Sequence, residues 1–468
     1  MRSRAALILL TACALLGCGR RPPPGLIVIS VDTLRADYTG PYGAPEGRTP
    51  FLDRIARESV VFERAYSQAN ETQPSHASLF NSRFPSQLGP VTEDMTIPDG
   101  TPTLATALSA AGWRTGAMVA GGHLARVLGL DDGFQQYVEG RRMGSFQQTA
   151  PMALRWLDES LAGDQPWLLF LHSYDCHIPY AKPNVFGRAA TPGYAGPMAQ
   201  IVNDPLAFEA IYERMYFPRL PEGQDRDSVG ARLKEPGMGD RMAQWATMPD
   251  IEHVDLTDED VAFLRGLYAT GVSYADLWLG VVWAELEQRG VLENSVVVIL
   301  SDHGEDLLDH GMMSHHHRMH DASLRVPLLV RLPGGAGGGT RVREVVELLD
   351  VTPTLLAMHG VPVPAGMNGR DLNDCLRSGR CPSDGLGRSE SKIGVLTATD
   401  GFFRLMVHGA QVGTPGMQAR LERLDASSAG LWNTTEGSGQ EKRLDVHSFD
   451  PARVQHLQQG LLNIEAGR

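Results

Sequence analysis

Three apolar runs far apart in the chain end in residues that can hold a cation. "GLIVISVD" (25–32) ends at Asp32, "SVVVILSDH" (295–303) at Asp302 and His303, and "WLLFLHSYDCH" (167–177) near Asp175 and His177. Two carboxylates and an imidazole make a reasonable donor set for a divalent ion. A fourth stretch, "NETQPSHASLFNSR" (70–83), sets the hydroxyl of Thr72 two residues ahead of Pro74. Proline suits the first turn of a helix, where its missing N–H costs nothing. A helix starting there aims its free N–H groups and positive dipole end at an anion held by Thr72. Each feature also has a plain structural reading. Thr72 or Gln73 can serve as a helix cap, and an aspartate after a strand is often a turn or cap residue.

The elements around these residues decide whether they can meet. The runs 25–32, 114–120, 166–175, 295–305 and 325–334 are continuous rather than alternating, as parallel strands buried on both faces are. Between them lie helical patterns. "TPTLATALSAAG" has Leu104 and Leu108 four apart and Gly112 as a stop signal. The long stretch from Leu256 opens with Thr257 and Asp260 at capping-box spacing. Strands alternating with helices predict an α/β sheet covered on both faces. Ligands bind beyond the carboxyl ends of such strands, so the strand-end residues can converge.

Residues 181–256, rich in Pro, Gly, Met and charge, break the pattern and read as an insertion, a substrate lid or surface decoration. From 366 onward the runs are short. "IGVLTATDGFFRLMVH" suggests a hairpin turning at Thr399-Asp400-Gly401, and "DPARVQHLQQGLL" a helix with Val454, Leu457 and Leu461 on one face. The expected organisation is a leader over 1–17, a linker over 18–25, a main domain over 26–365 and a small α+β subdomain over 366–468.

The 468 residues are 42% apolar and 21% charged, ordinary values for a chain that buries a sizeable core. A formal charge of −13 argues against a general nucleic-acid binder, which needs a basic face. Arg2 and Arg4 precede an apolar run from Ala5 to Leu16 that is too short to span a bilayer and has the shape of a secretory signal. "LLGC" resembles the bacterial lipobox, which makes Cys18 the expected lipidated first mature residue and anchors the chain to a membrane, facing the periplasm or cell exterior. Cys375 and Cys381, six apart in a polar loop, are expected to pair in that oxidising setting. Cys176 reads as a buried small side chain.

"VISVDTLRADYTGPYG", "TQPSHASLFNSRFPS", "FLHSYDCHIPY", "VVVILSDHGEDLLDHG", "SLRVPLLVRLPG" and "LLDVTPTLLAMHGVPVPAGMNGRDL" occur in an order and spacing that resemble the sulfatase family, within the alkaline-phosphatase superfamily. The resemblance spans roughly 25–372. It implies a large mixed, mostly parallel sheet with helices on both faces, a smaller C-terminal subdomain, and metal-dependent hydrolysis of anionic sulfate or phosphate esters. It also implies that Asp32, Asp302 and His303 hold one divalent metal ion (Ca, Mg or Mn rather than Zn). Thr72, also within reach of the ion, takes the nucleophile's place. His177 corresponds to a histidine that contacts the transferred group. His315 falls where relatives carry a lysine or histidine, and His123 aligns loosely with the family's "GKWHLG" histidine. Of the dense histidines at 315, 316, 317 and 320, His315 is the functional one expected; His310 belongs to the loop after the metal pair.

The departures are informative. Sulfatases of this kind convert Cys or Ser to formylglycine, and threonine is a poor candidate for that conversion. His76 replaces the arginine of the signature, Thr33 stands where many relatives have a second aspartate, and Gly121-Gly122 occupy the region of a usual lysine. Fewer fixed positive charges and a threonine ester that needs water to clear it favour phosphate, phosphonate or phosphodiester substrates over sulfate. Two alternatives stand beside a hydrolase: a transferase passing a phospho-alcohol head group to an envelope glycan or lipid, and a catalytically silent anion-binding lipoprotein.

Overall fold

The computed structural model describes residues 23–180, 193–196, 198–199, 256–309, 313–316, 319–381, 385–408, 419–423 and 451–465. The leader with Cys18, most of 181–256, His310 and His317 lie outside the described residues.

The main sheet contains β1 (Gly25–Val31), β2 (Val60–Tyr66), β3 (Arg114–Val119), β4 (Gln136–Glu139), β5 (Trp167–Ser173), β6 (Ser295–Leu300), β7 (Arg325–Val326), β8 (Leu328–Arg331) and β9 (Arg341–Glu347). They lie in the order β4-β3-β5-β1-β6-β8-β2-β7, with β9 also against β2. β1 runs parallel to both β5 and β6, and β3 parallel to β4 and β5. β1 shows why the central strands read as unbroken apolar runs. Ile27, Ile29 and Val31 face the core shared with helices Pro50–Ala56, Phe146–Leu161 and Asp258–Gln288. Leu26 and Val28 face the opposite core, which takes in helices Thr72–Asn81, Leu104–Ala110 and Val351–Met358. Each such side chain contributes about 1.5–3 kcal/mol on burial. The long helix opens with the expected reciprocal cap: Thr257 N donates to Asp260 Oδ2 at 2.8 Å and Asp260 N donates to Thr257 Oγ1 at 3.2 Å.

The run 325–334 departs from the expected parallel strand. It forms β7 and β8, and β8 lies antiparallel to β6 and to β2. Both its faces are covered, Leu329 in one core and Leu328 and Val330 in the other. A buried strand therefore gives the same apolar run in either direction. The chain reaches β8 from the carboxyl end of β6 with no returning crossover, which dictates the antiparallel sense.

A second, antiparallel sheet is built from β10 (Gly387–Glu390), β11 (Val395–Thr399), β12 (Phe403–His408) and β13 (Ala419–Arg423). The turn between β11 and β12 uses Gly401 at φ +81°. Helix Pro451–Glu465 packs Leu457 and Leu461 against Leu386, Leu396 and Ala398. Cys375 and Cys381 are joined by a disulfide, and Cys176 is buried and unbridged.

Behind the carboxyl edge of β1, buried Arg35 pairs with Asp37 and Asp309, and its NH1 donates to the Glu305 carbonyl at 3.0 Å. Burial alone would raise the Asp309 carboxyl, but the Arg35 guanidinium outweighs it and holds Asp309 at about 2. A carboxyl depressed on folding adds stability that is full above its unfolded value of about 3.9 and is lost as pH falls toward 2. Asp309→Asn is thus expected to lower stability by about 2 kcal/mol at pH 7. In urea titrations its gap from the unaltered chain should narrow from pH 4 downward; a gap independent of pH would refute the charge pairing.

Candidate metal centre and nucleophile

β1, β5 and β6 run parallel, so their carboxyl ends open on one edge. Asp32 follows β1, and Asp302 and His303 follow β6. All three are fully buried, and their donor atoms lie within 4.8 Å of one another. Thr72 is the first residue of helix Thr72–Asn81, on the face of the sheet that carries Ser30 and His172. Its side chain does not cap that helix; the cap position is Glu71, and no side chain caps it. Instead Thr72 Oγ1 donates to Asp32 Oδ2 at 3.1 Å and lies 3.3 Å from His303 Nε2, with the residue only 2% exposed.

The charges around this hydroxyl call for a cation. Asp302 Oδ1 accepts the backbone N–H groups of Thr33 (3.2 Å) and His303 (2.9 Å). Asp32 Oδ1 and Asp302 Oδ2 are buried without a hydrogen-bond partner among the described residues. Burial raises both carboxyls above their usual range, and Asp32 raises Asp302 further. Burial would push the His303 ring down, but the two carboxylates beside it prevail and raise it. His303 Nδ1 donates to the Gly304 carbonyl at 2.8 Å, which leaves Nε2 facing the carboxylates. Two orphaned carboxylate oxygens, one oriented imidazole nitrogen and a hydroxyl fit a hard or borderline divalent ion, and burying them without one is costly.

Thr33 adds no ligand. Its hydroxyl donates to the Asp32 carbonyl at 2.7 Å, and its backbone sits at φ +56°, rare for a β-branched residue. The Asp302 carboxylate on its N–H and the Tyr268 hydroxyl on its carbonyl (2.6 Å) hold it there. His76 lies beneath the site rather than facing a substrate. Nδ1 is 2.8 Å from the Thr72 carbonyl and Nε2 is 3.0 Å from Ser30 Oγ. Burial lowers the ring to about 4, so it is neutral and does not restore the arginine's charge. It positions the first turn of the Thr72 helix. Asp175 is likewise a positioning group: its Oδ2 accepts Phe146 N at 2.9 Å and so caps helix Phe146–Leu161.

Two more histidines continue outward from the His303 ring. The His315 ring lies 4.3 Å from that of His303 and 5.5 Å from that of His177. His315 Nδ1 is 3.2 Å from Glu305 Oε1, and burial, then His316, hold this ring well below its usual value. His123 follows the Gly121-Gly122 turn, where both glycines have positive φ and a Cβ on Gly122 would press on the Tyr174 ring. That geometry leaves no place for a lysine there. His123 is held by Asp94 (2.8 Å to Nδ1) and Glu93 (3.5 Å to Nε2).

Three residues here are not among the site candidates selected from the sequence. His172 lies inside β5 with Nε2 3.4 Å from Asp32 Oδ2, and burial lowers it to about 4. Lys392, from the loop before β11, reaches Glu71 at 2.9 Å and Glu93 at 3.1 Å. His316, beside the expected His315, lies 2.9 Å from Glu71 Oε2.

Comparison with known proteins gives the chain's family. The sulfatase family model matches residues 24–361. The chain is 24% identical over 374 residues to an ulvan-active sulfatase of Formosa agariphila, covering 76% of this chain and 65% of that protein. It is 26% identical over 395 residues to an arylsulfatase of Clostridium perfringens, covering 75% of this chain and 78% of that one. A phosphonate monoester hydrolase of Agrobacterium radiobacter superposes with a TM-score of 0.66 at 18% identity over 95% of both chains, a likeness of fold. With the match running from β1 through the metal-edge residues to helix Val351–Met358, the chain belongs to the sulfatase family of ester hydrolases.

Proposed function

We propose that this chain is a metal-dependent hydrolase of phosphate, phosphonate or phosphodiester substrates in preference to sulfate esters, with Thr72 as nucleophile. The observation that carries the reading is the Thr72 hydroxyl, 2% exposed, at a helix N-terminus between Asp32 and His303. A divalent ion held by Asp32, Asp302 and His303, when bound, acidifies a hydroxyl in its reach and neutralises an ester oxygen. The chain's own groups do the rest. The Asp32 hydrogen bond and the His76 contact to the Thr72 carbonyl fix the direction of Oγ1. The free N–H groups of the first helical turn, together with His177, face the anionic oxygens. His315 or His123 protonates the leaving oxygen.

Threonine is what points to phosphorus. A formylglycine hydrate expels its ester by collapsing to an aldehyde, whereas a threonine ester must be cleaved by water, which phosphoryl groups permit. The test is a panel of chromogenic sulfate, phosphate monoester, phosphodiester and phosphonate esters, with and without chelator. Turnover of phosphorus esters that chelator abolishes is the expected result. Sulfate as the sole substrate, or turnover indifferent to chelator, would overturn the reading.

A further inference from the structure

We propose that Glu71, His315 and His316 form a second divalent-cation site beside the first, with a zinc-type donor set. Their donor atoms lie within 4.8 Å of one another. Glu71 is 1% exposed and precedes Thr72; His315 and His316 follow one another with ring centroids 4.1 Å apart. Two imidazoles and a carboxylate are a set that holds zinc with a position left open, whereas the oxygen-rich first group suits harder ions.

Three features single this group out from a solvated cluster. Glu305 Oε1 faces His315 Nδ1 at 3.2 Å, a carboxyl group against one ring nitrogen of the kind that orients metal-binding histidines. Asn70, whose Nδ2 donates to the His315 carbonyl, has a buried Oδ1 with no hydrogen-bond partner among the described residues. Lys392 places its ammonium 2.9 Å from Glu71 Oε1 and 3.3 Å from His316 Nδ1, while that same Nδ1 lies 3.0 and 2.9 Å from the two Glu71 oxygens. One ring nitrogen cannot both donate to Glu71 and accept from Lys392. A cation between Glu71 and His316 resolves the conflict, and the ammonium marks where positive charge belongs. Lys392, 26% exposed in its side chain, can withdraw along Glu93, 3.1 Å away.

Tetrahedral zinc separates its donors by about 3.4 Å, a span comparable with the 4.8 Å within which these atoms lie. Because Glu71 adjoins Thr72 and the His315 ring lies 4.3 Å from that of His303, the two ions would be neighbours. Paired ions of this kind can clamp the attacking and leaving oxygens of a displacement. The site goes beyond the hydrolase reading and does not depend on it.

The test is zinc stoichiometry of the chelator-stripped full chain, by titration calorimetry and by elemental analysis after gel filtration, with Zn2+ alone as probe. The unaltered chain is expected to bind one equivalent more than Glu71→Gln and His316→Ala, whether or not the first group also takes zinc. Lys392→Ala, at a partly buried position, should keep that extra equivalent and bind it at least tenfold more tightly. The same stoichiometry in the unaltered chain and in both ligand variants overturns the site, and so does an extra equivalent that appears only in Lys392→Ala, because the native ammonium would then exclude the ion. Failure of the ester panel with this stoichiometry intact would remove the hydrolase reading and leave the site standing.

Discussion

Thr72→Ala is expected to lower turnover of the preferred phosphorus ester by about 10³-fold or more, with KM changed far less. The reason is local. Thr72 Oγ1, at the helix N-terminus, reaches both Asp32 and His303. Alanine leaves the helix, its dipole and the surrounding imidazoles in place, since the hydroxyl takes no part in capping. A loss confined to the chemical step separates a nucleophile from a residue that merely holds the turn. Brief incubation of the unaltered chain with substrate, acid quench and mass spectrometry of the peptide carrying Thr72 should reveal a phosphoryl adduct absent from the variant. Undiminished turnover in Thr72→Ala would end the nucleophile assignment outright.

Asp302→Asn is expected to abolish metal-dependent activity while the metal-free chain stays folded and gains thermal stability. Asparagine can still accept from the Thr33 and His303 backbone N–H groups through its carbonyl oxygen, so the loop keeps its shape. What disappears is the repulsion between two buried carboxylates that burial already raises. The unaltered chain should gain stability on adding the ion, about 2.7 kcal/mol at a hundredfold excess over Kd, seen as a rise of a few degrees in Tm. The variant should show no such rise. A metal-free variant that melts well below the unaltered chain would mean that Asp302 is a structural acid rather than a ligand.

Which parts of this were readable in advance follows from how each signal is written in the chain. Asp32, Asp302 and His303 could be found because a continuous apolar run ends abruptly in a polar residue, and parallel strands deliver such ends to one edge. Thr72 could be found because a helix start with proline in its first turn lies in the same set of motifs. The sense of β8 could not, since burial on both faces produces the same run either way. His172 is inside a strand, where a histidine looks like any tolerated core residue. Lys392 meets Glu71 across more than three hundred residues of chain, from a subdomain whose short strands carry little pattern. His76 was visible as a substitution for arginine, but only its enclosure between Ser30 and the Thr72 carbonyl shows that it supports the helix.

The amino-acid sequence by itself thus determined the layered α/β architecture and the edge where chemistry is possible, and the resemblance of its motifs selected the two carboxylates, the imidazole and the hydroxyl as candidates. The architecture and the edge follow from local periodicity and from the rule that strand ends in a parallel sheet share one side. Tertiary structure decided which polar groups lose water together. The dry juxtaposition of Asp32 with Asp302, the neutral state of His76 and His315, and the convergence of Glu71, His316 and Lys392 all depend on distances between segments remote in sequence. Burial strengthens electrostatic interactions steeply with proximity, and that quantity exists only once the chain has folded.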